Sequence, residues 1–168
     1  MRRVILIVHN VRSAHNVGSI LRSADGLGVA EVYLSGYTPY PPVPNDSRLP
    51  HIARRAATQI AKTALGAEQS IKWRYEADAL QLISRLKDND YLIAALEQTV
   101  LAINLTKFKP PNKIALIVGS EVGGINPEIL QAADVHLEIP MSGKKESFNV
   151  AIATAIALYQ IRWYNRGG

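Results

Sequence analysis

Short apolar runs rich in β-branched residues alternate along this chain with longer segments of helical pattern, and this alternation restricts the fold more than any other feature. Runs that are apolar at nearly every position suit strands buried on both faces, and helices between them suit the crossovers that parallel strands require. The sequence therefore predicts an α/β fold with one parallel sheet, in a single domain over residues 1–168. The predicted strands are residues 4–8, 31–34, 71–75, 91–96, 114–118 and 135–139. The predicted helices are residues 17–27, 50–65, 77–87, 127–133 and 147–164.

Three of the predicted strands end in residues that suit a binding site. Leu96 is followed by a glutamate, Gly119 opens a glycine-rich turn, and Ile139 is followed by a proline. Ligands of open parallel sheets bind beyond the carboxyl ends of the strands. We therefore expect a ligand at these three strand ends.

The glycine-rich turn "GSEVGG", residues 119–124, differs from the loops that bind nucleotide phosphates. It lacks the spacing of G-x-G-x-x-G and of G-x-x-x-x-G-K-[ST], and Glu121 places a negative charge where a phosphate would lie. The segment "GKKES", residues 143–147, also lacks the leading glycine of such a loop. A carboxylate here suits a ligand that offers hydrogen-bond donors or positive charge, and it also suits N–H groups of its own loop. Both roles stay open.

The last predicted helix carries apolar or small residues around nearly its whole circumference. It follows "SFN", in which Ser147 is the predicted N-cap. A helix without a polar face is buried, and in a domain of this size burial on every side suggests contact with a second subunit. The sequence therefore predicts a homodimer.

The opening stretch "HNVRSAHNVGSILRSADGLGV", residues 9–29, leads from the first strand into a helix for which Asn16 is the predicted N-cap. Arg22 lies away from the apolar stripe of that helix, one turn after Gly18. It is either a solvated surface residue or, beside a concavity lined by Gly18, a planar group that grips a phosphate. The sequence leaves both roles open.

Charge and composition restrict the classes of partner. The chain has 19 Lys and Arg against 14 Asp and Glu, a net charge of +5, which suits an anionic partner and equally suits solubility alone. It has no cysteine, which excludes thiolate chemistry and cysteine zinc sites and fits the cytoplasm. The histidines show no ligand spacing, so no metal is expected, and for His9 and His15 structural hydrogen bonding is favoured over contact with a ligand. No apolar run approaches the roughly 20 residues of a membrane span.

Three segments together resemble a known family. "HNVGSILRSADGLGV", "IVGSEVGGI" and "IPMSGKKESFNVAIATAIALYQ" are similar, in this order, to the three motifs of the SpoU (TrmH-type) branch of the SPOUT RNA methyltransferases. The resemblance extends over essentially the whole chain and implies a C-terminal part threaded into a deep trefoil knot, a homodimer and binding of S-adenosylmethionine. One departure is Phe148, where a smaller aliphatic residue is usual between the motif's Ser and Asn.

The resemblance also implies roles for individual residues. The implied catalytic residues are Asn16, Arg22, Glu121, Ser147 and Asn149. The implied cofactor-binding residues are Leu96, Gly119, Ile139 and Ser147, of which the first three are the strand ends identified above from sheet geometry. Basic residues available to an RNA backbone are Arg12, Arg54, Arg55, Lys62, Lys144 and Lys145, three of them on one predicted helix that is equally compatible with a solvated face.

The implied reaction transfers a methyl group from a sulfonium to a ribose 2′-hydroxyl of tRNA or rRNA. We favour tRNA, because we expect no separate RNA-binding extension. The family assigns proton removal to the motif Arg, but a guanidinium has a pKa above about 12. Arg22 could instead hold the adjacent phosphate while phosphate or water takes the proton. The alternatives are a non-catalytic RNA-binding protein of the same fold, an enzyme of the superfamily that methylates an RNA base, and a small-molecule enzyme with a nucleotide cofactor.

Overall fold

The computed structural model describes residues 2–164 and consists of one sheet between two layers of helices. The strands are β1 (Arg3–His9), β2 (Glu31–Ser35), β3 (Trp73–Glu76), β4 (Leu92–Leu96), β5 (Ile103–Asn104), β6 (Lys113–Val118) and β7 (Val135–Glu138). The helices are α1 (Ala14–Gly26), α2 (Pro50–Ala64), α3 (Ala67–Ser70), α4 (Ala79–Asp88), α5 (Pro127–Ala132) and α6 (Val150–Trp163). A 3-10 turn occupies Leu105–Lys107.

The seven described strands lie in the order β3-β2-β1-β6-β4-β7-β5, and every neighbouring pair is parallel. The predicted fold class is therefore confirmed, and each of the six predicted strands is present. The short strand β5, which pairs Ile103 with Leu137 at the sheet edge, was not predicted because two residues carry no periodic signal. The trefoil knot stays a prediction. Because all strands point the same way, the carboxyl ends of β1, β4, β6 and β7 share one edge of the sheet.

Two apolar clusters cover the two faces of the sheet. Leu6 and Val8 of β1 belong to a cluster with α1, α2 and α6, whereas Ile5 and Ile7 belong to a second cluster with α4 and α5. This division follows from the strand itself, because successive side chains point to opposite faces. The interior positions of the central strands are apolar since both faces of the sheet are covered.

The predicted N-caps of α1 and α6 are both wrong by a few residues. Ser13 caps α1: its side chain accepts from the N–H of Asn16, and its carbonyl accepts the first helical bond, from Val17. Asn149, not Ser147, caps α6, because its carbonyl accepts from Ala153 and its side chain accepts from the N–H of Ala151 at 2.9 Å. An N-cap residue supplies two acceptors, its backbone carbonyl and its side-chain oxygen, and at these two helix starts Ser13 and Asn149 supply both.

One side of α6 remains exposed within the single chain. Ala157, Leu158 and Ile161 are buried against the sheet. Ile152, Ile156, Tyr159 and Trp163 follow one another at helical spacing, are 36–61% exposed, and are called here the α6 stripe. The expected burial on all sides is therefore not achieved by one chain. Across residues 2–164, no helix has the length and apolar character required to cross a membrane.

Candidate active site

A cleft opens at the sheet edge where β4, β6 and β7 end, and its solvent-accessible volume is about 280 Å³. The four residues that the family resemblance assigns to the cofactor all line it: Leu96 ends β4, Gly119 follows β6, Ile139 follows β7, and Ser147 precedes α6. Further lining residues are Glu97, Gln98, Ser120, Glu121, Glu138, Met141, Phe148 and Asn149. The strand ends at which the sequence predicts a ligand thus line one cleft.

Glu121 joins the cleft to the start of α1. One of its carboxylate oxygens accepts from the N–H of Arg12 at 3.1 Å, and the other accepts from the N–H of Ser13 at 3.2 Å and from the side-chain amide of Asn16 at 2.9 Å. The Asn16 carbonyl oxygen in turn accepts from the amide of Asn149 at 3.2 Å. Asn16 therefore connects the start of α1 to two segments that each lie more than a hundred residues further along the chain, those of Glu121 and Asn149.

The hydrogen bonds to Glu121 favour its ionised form. Partial burial acts to raise its pKa, but the Asn16 amide and the backbone N–H groups of Arg12 and Ser13 outweigh this and lower the pKa below its ordinary value. Glu121 is thus a carboxylate at neutral pH. The N–H groups of Arg12 and Ser13 belong to the loop after β1, so Glu121 binds the backbone of a different loop from its own, which the sequence did not predict.

Glu97 is a site residue to which the sequence assigned no role. Its Oε2 accepts from the N–H of Ile125 at 2.9 Å and its Oε1 from the N–H of Gln98 at 3.0 Å. The Gln98 side chain donates to the carbonyl of Glu146 at 2.8 Å, which links this strand end to the segment before α6. The only sequence signal for Glu97 was its place directly after an apolar strand.

The glycine turn after β6 is closed on itself. Ser120 and Gly124 exchange two backbone hydrogen bonds of 3.0 Å, and Gly124 has a φ of +63°. The Ser120 hydroxyl accepts from the N–H groups of Val122 and Gly123, each at 3.3 Å. Those two N–H groups are therefore already bonded within the turn, which agrees with the exclusion of a phosphate loop.

The cleft is acidic. Glu97, Glu121 and Glu138 line it, and among the described lining residues there is neither a lysine nor an arginine. The strand ends Leu96 and Ile139 add apolar walls. A cleft with this composition suits a ligand that has an apolar ring system and positive charge, and it disfavours a phosphate-bearing nucleotide. Within residues 2–164, no cluster of three or more potential ligand side chains could hold a metal ion.

Arg22 does not belong to the cleft of its own chain. It is exposed on α1, and it forms no hydrogen bond or ion pair with any residue in the described part of the chain. Of the two roles that the sequence left open for Arg22, the one beside a concavity lined by Gly18 is excluded, because α2 fills that space: a Cβ on Gly18 would lie 2.2 Å from the carbonyl oxygen of Ile60. Gly18 therefore permits the close crossing of α1 and α2.

The six basic residues proposed for RNA contact are all exposed. Arg12 follows β1, and its guanidinium lies 5.6 Å from the ring centroid of Tyr37. Lys144 and Lys145 lie on the segment that also brings Ser147 to the cleft. The remaining three, all on α2, are Arg54, Arg55 and Lys62.

His9 has a structural role. It is buried, and its Nδ1 lies 2.9 Å from the hydroxyl of Ser35. Burial lowers its pKa, and a side-chain hydrogen bond with Asn126 opposes that shift. The interpretation of His9 as a structural residue is confirmed, whereas the side chain of His15 is exposed and has no hydrogen-bond partner within residues 2–164.

These features define the class of protein: a parallel-sheet α/β protein with an acidic cleft at the carboxyl ends of its strands. The chain belongs to the SpoU rRNA Methylase family, whose model matches residues 3–159. The resemblance identified from three sequence motifs is thereby confirmed.

Two of the relatives are named as tRNA methyltransferases. The chain is 28% identical over 155 residues to a tRNA (guanosine(18)-2'-O)-methyltransferase of Borreliella burgdorferi, covering 92% of this chain and 64% of the relative. It is 30% identical over 161 residues to the enzyme of the same name from Aquifex aeolicus, covering 94% and 67%. The chain thus spans about two thirds of the length of these relatives.

A solved structure confirms the fold. The SpoU methyltransferase AviRb from Streptomyces viridochromogenes, crystallised in complex with the cofactor AdoMet, matches with a TM-score of 0.81. The match covers 99% of this chain and 59% of that one at 19% identity. At this identity the similarity concerns the fold alone.

Proposed function

We propose that the protein is an S-adenosylmethionine-dependent methyltransferase that modifies a ribose 2′-hydroxyl of RNA, with tRNA favoured over rRNA. Membership of the SpoU family and the names of the relatives from Borreliella burgdorferi and Aquifex aeolicus support this class of reaction. The observation that carries the proposal is the acidic cleft, together with the hydrogen bonds from Asn16 to its Glu121 and from Asn149 to Asn16.

The residues of the cleft fit the cofactor. Leu96 and Ile139 offer apolar surface to an adenine ring, and Gly119 lets the backbone approach closely. The carboxylates of Glu97, Glu121 and Glu138 favour a ligand that carries a sulfonium and an ammonium group. When bound, S-adenosylmethionine supplies an electrophilic methyl group. Its product lacks the sulfonium charge, so an acidic cleft should bind the product less tightly.

The polar groups at the edge of the cleft are proposed to position the ribose. The amides of Asn16 and Asn149 hold each other in place, and Ser147 presents a hydroxyl beside them. In the transfer, a bond forms between the 2′-oxygen and the methyl carbon, the bond from that carbon to sulfur breaks, and the hydroxyl proton leaves to a phosphate oxygen or to water. Arg22 is assigned to the phosphate beside the reacting ribose, because a guanidinium binds phosphate well and gives up a proton poorly.

We further infer that two chains associate through the α6 stripe. The stripe offers four large apolar or aromatic side chains to solvent on a helix that has no polar face. A surface of this kind is typical of a subunit interface. Contact with a second chain would remove the apolar side chains of the α6 stripe from water.

The test is a methylation assay with cofactor labelled in the methyl group and separate pools of tRNA and rRNA transcripts. Alkaline cleavage requires a free 2′-hydroxyl, so ribose methylation should yield one alkali-resistant labelled dinucleotide. A transcript with a 2′-deoxyribose at the target should accept no label. Label in a free modified base would favour the alternative of base methylation. Binding of RNA without any transfer of label would favour a non-catalytic RNA-binding protein.

A further inference from the structure

An exposed tyrosine lies beside the cleft on a rigid support. Tyr37 is 53% exposed and follows β2, in the turn that faces the loop after β1. The guanidinium of Arg12 lies 5.6 Å from its ring centroid, and the N–H of the same Arg12 donates to Glu121, which lines the cleft. A single residue therefore separates the Tyr37 ring from the wall of the cleft.

The backbone around Tyr37 is fixed from both loops. The N–H of Tyr37 donates to the side-chain carbonyl of Asn10 at 3.1 Å, and both Asn10 and Gly36 have a positive φ. A Cβ on Gly36 would lie 1.9 Å from that Asn10 oxygen, so the two turns interlock closely. The buried hydroxyl of Thr38 joins the turn after β2 to β1 and to the loop that follows β1, donating to the carbonyl of Val8 and accepting from the N–H of Val11.

The other aromatic residues of this region are engaged within the protein. Tyr40 is buried and stacks on Tyr75 with centroids 4.1 Å apart, and Arg48 covers the Tyr40 ring at 3.5 Å. The Tyr75 hydroxyl donates to the carbonyl of Gly36 at 2.9 Å, which supports the turn from behind. Tyr37 is therefore a rigidly mounted ring whose exposed surface has no stacking partner within residues 2–164.

We propose that Tyr37 and Arg12 form a subsite for a nucleobase of the RNA substrate, next to the cleft in which the ribose is methylated. An aromatic face stacks on a base, and a neighbouring guanidinium adds attraction to the base and to the phosphate. The charge of Arg12 favours RNA over an apolar protein surface as the occupant of the subsite. A second subunit is not needed to cover Tyr37, because the α6 stripe already offers an apolar face for subunit contact. The subsite rests on the proposed function, since it takes the substrate to be RNA.

Two substitutions distinguish the contribution of the aromatic face of Tyr37 from that of its apolar volume. Tyr37→Phe keeps the aromatic face, whereas Tyr37→Leu keeps apolar volume and removes that face. The probe is a pool of transcribed tRNAs, bound to the protein in a filter assay. We expect Tyr37→Leu to raise the dissociation constant for tRNA about fivefold or more, and Tyr37→Phe to stay within about twofold of the unsubstituted protein. Both variants should bind S-adenosylmethionine and unfold with heat as the unsubstituted protein does, because the side chain is exposed and lies outside the cleft lining.

Photocrosslinking provides a readout independent of activity. In tRNA transcribed with 5-iodouridine, the halogenated base crosslinks to the aromatic ring on which it stacks, and we expect the crosslinked peptide to contain Tyr37. Unchanged tRNA affinity in Tyr37→Leu, or a change of oligomeric state in that variant, would overturn the subsite. Neither readout requires methyl transfer, so a protein that binds tRNA through Tyr37 without transferring label would refute the proposed function and leave the subsite standing.

Discussion

Replacing Gly119 by alanine should damage the cofactor cleft through the turn that folds over this residue. A Cβ on Gly119 would lie 2.6 Å from the carbonyl carbon and oxygen of Gly124 and 2.7 Å from Cγ1 of Ile125. The nearest atoms are backbone, so the turn has to retreat by about 0.8 Å or more to restore an ordinary van der Waals contact. The added methyl group therefore acts by displacing the cleft wall and not by occupying the cleft.

The magnitude follows from the rigidity of that wall. The turn is held by the paired bonds between Ser120 and Gly124 and by the bond from Ile125 to Glu97, so displacement strains several contacts at once. Overpacking of this kind costs typically about 1–3 kcal/mol. If the cofactor requires the undisturbed turn, its dissociation constant should rise about fivefold to a hundredfold. The bulkier Gly119→Val should abolish measurable binding.

Calorimetric titration with S-adenosylmethionine tests this reasoning with a control in the same turn. Gly123 has open space at its Cβ position and no positive φ, so Gly123→Ala should bind the cofactor with unchanged affinity. Full affinity in Gly119→Ala would refute the placement of the cofactor against this turn. Equal losses in both variants would refute the steric argument and indicate that the turn must be flexible.

Three other expectations follow from the described contacts. The pKa of Glu121 lies below its ordinary value of 4.5, so its hydrogen bonds should stabilise the fold fully above pH 4.5, and this stabilisation should be lost as the pH falls through the lower folded-state pKa. Thermal unfolding measured against pH should show the loss of stability, and Glu121→Gln should not show it. Arg22→Ala should lose methyl transfer but keep its affinity for S-adenosylmethionine in calorimetry, since Arg22 lies outside the cleft, and Arg22→Lys should not restore transfer because it lacks the planar guanidinium. Ile152→Glu should yield monomers in light scattering, whereas Leu80→Glu, at an exposed position of α4, should not.

The layered fold could be predicted because its signal is local and repeated. Each central strand is a run of β-branched and apolar residues, and its burial on both faces makes that run continuous. The predicted start of α2 at Pro50 is confirmed, since proline fits the first turn of a helix. The caps of α1 and α6 were misplaced because several polar residues precede each helix, and only the backbone geometry selects Ser13 and Asn149.

The lining of the cleft could be predicted from the sequence only where the lining residues follow strand ends. Leu96, Gly119 and Ile139 were found from sheet geometry because parallel strands deliver their ends to one edge. The hydrogen bond from Asn16 to Glu121 joins residues 105 positions apart, and no local pattern encodes such a contact. Glu97 was missed for the same reason, because its hydrogen-bond partner Ile125 is brought close to it only by the fold of the glycine turn.

We predict that Arg22 serves the cleft of a second subunit, because its position on α1 keeps it out of the cleft of its own chain. It follows Asn16 by six residues, so the helix separates them by about 9 Å along its axis and turns their side chains about 120° apart. Asn16 faces the cleft through Glu121, and Arg22 therefore faces elsewhere. Co-expressing Arg22→Ala chains with Gly119→Val chains tests this, because the mixed dimer pairs an intact cleft with an intact Arg22 only across the interface. If Arg22 acts across the interface, random pairing should restore about a quarter of the unsubstituted activity, since half of the dimers are mixed and each has one complete site. If Arg22 acts within its own chain, no mixed dimer has a complete site, and the absence of restored activity would refute the assignment.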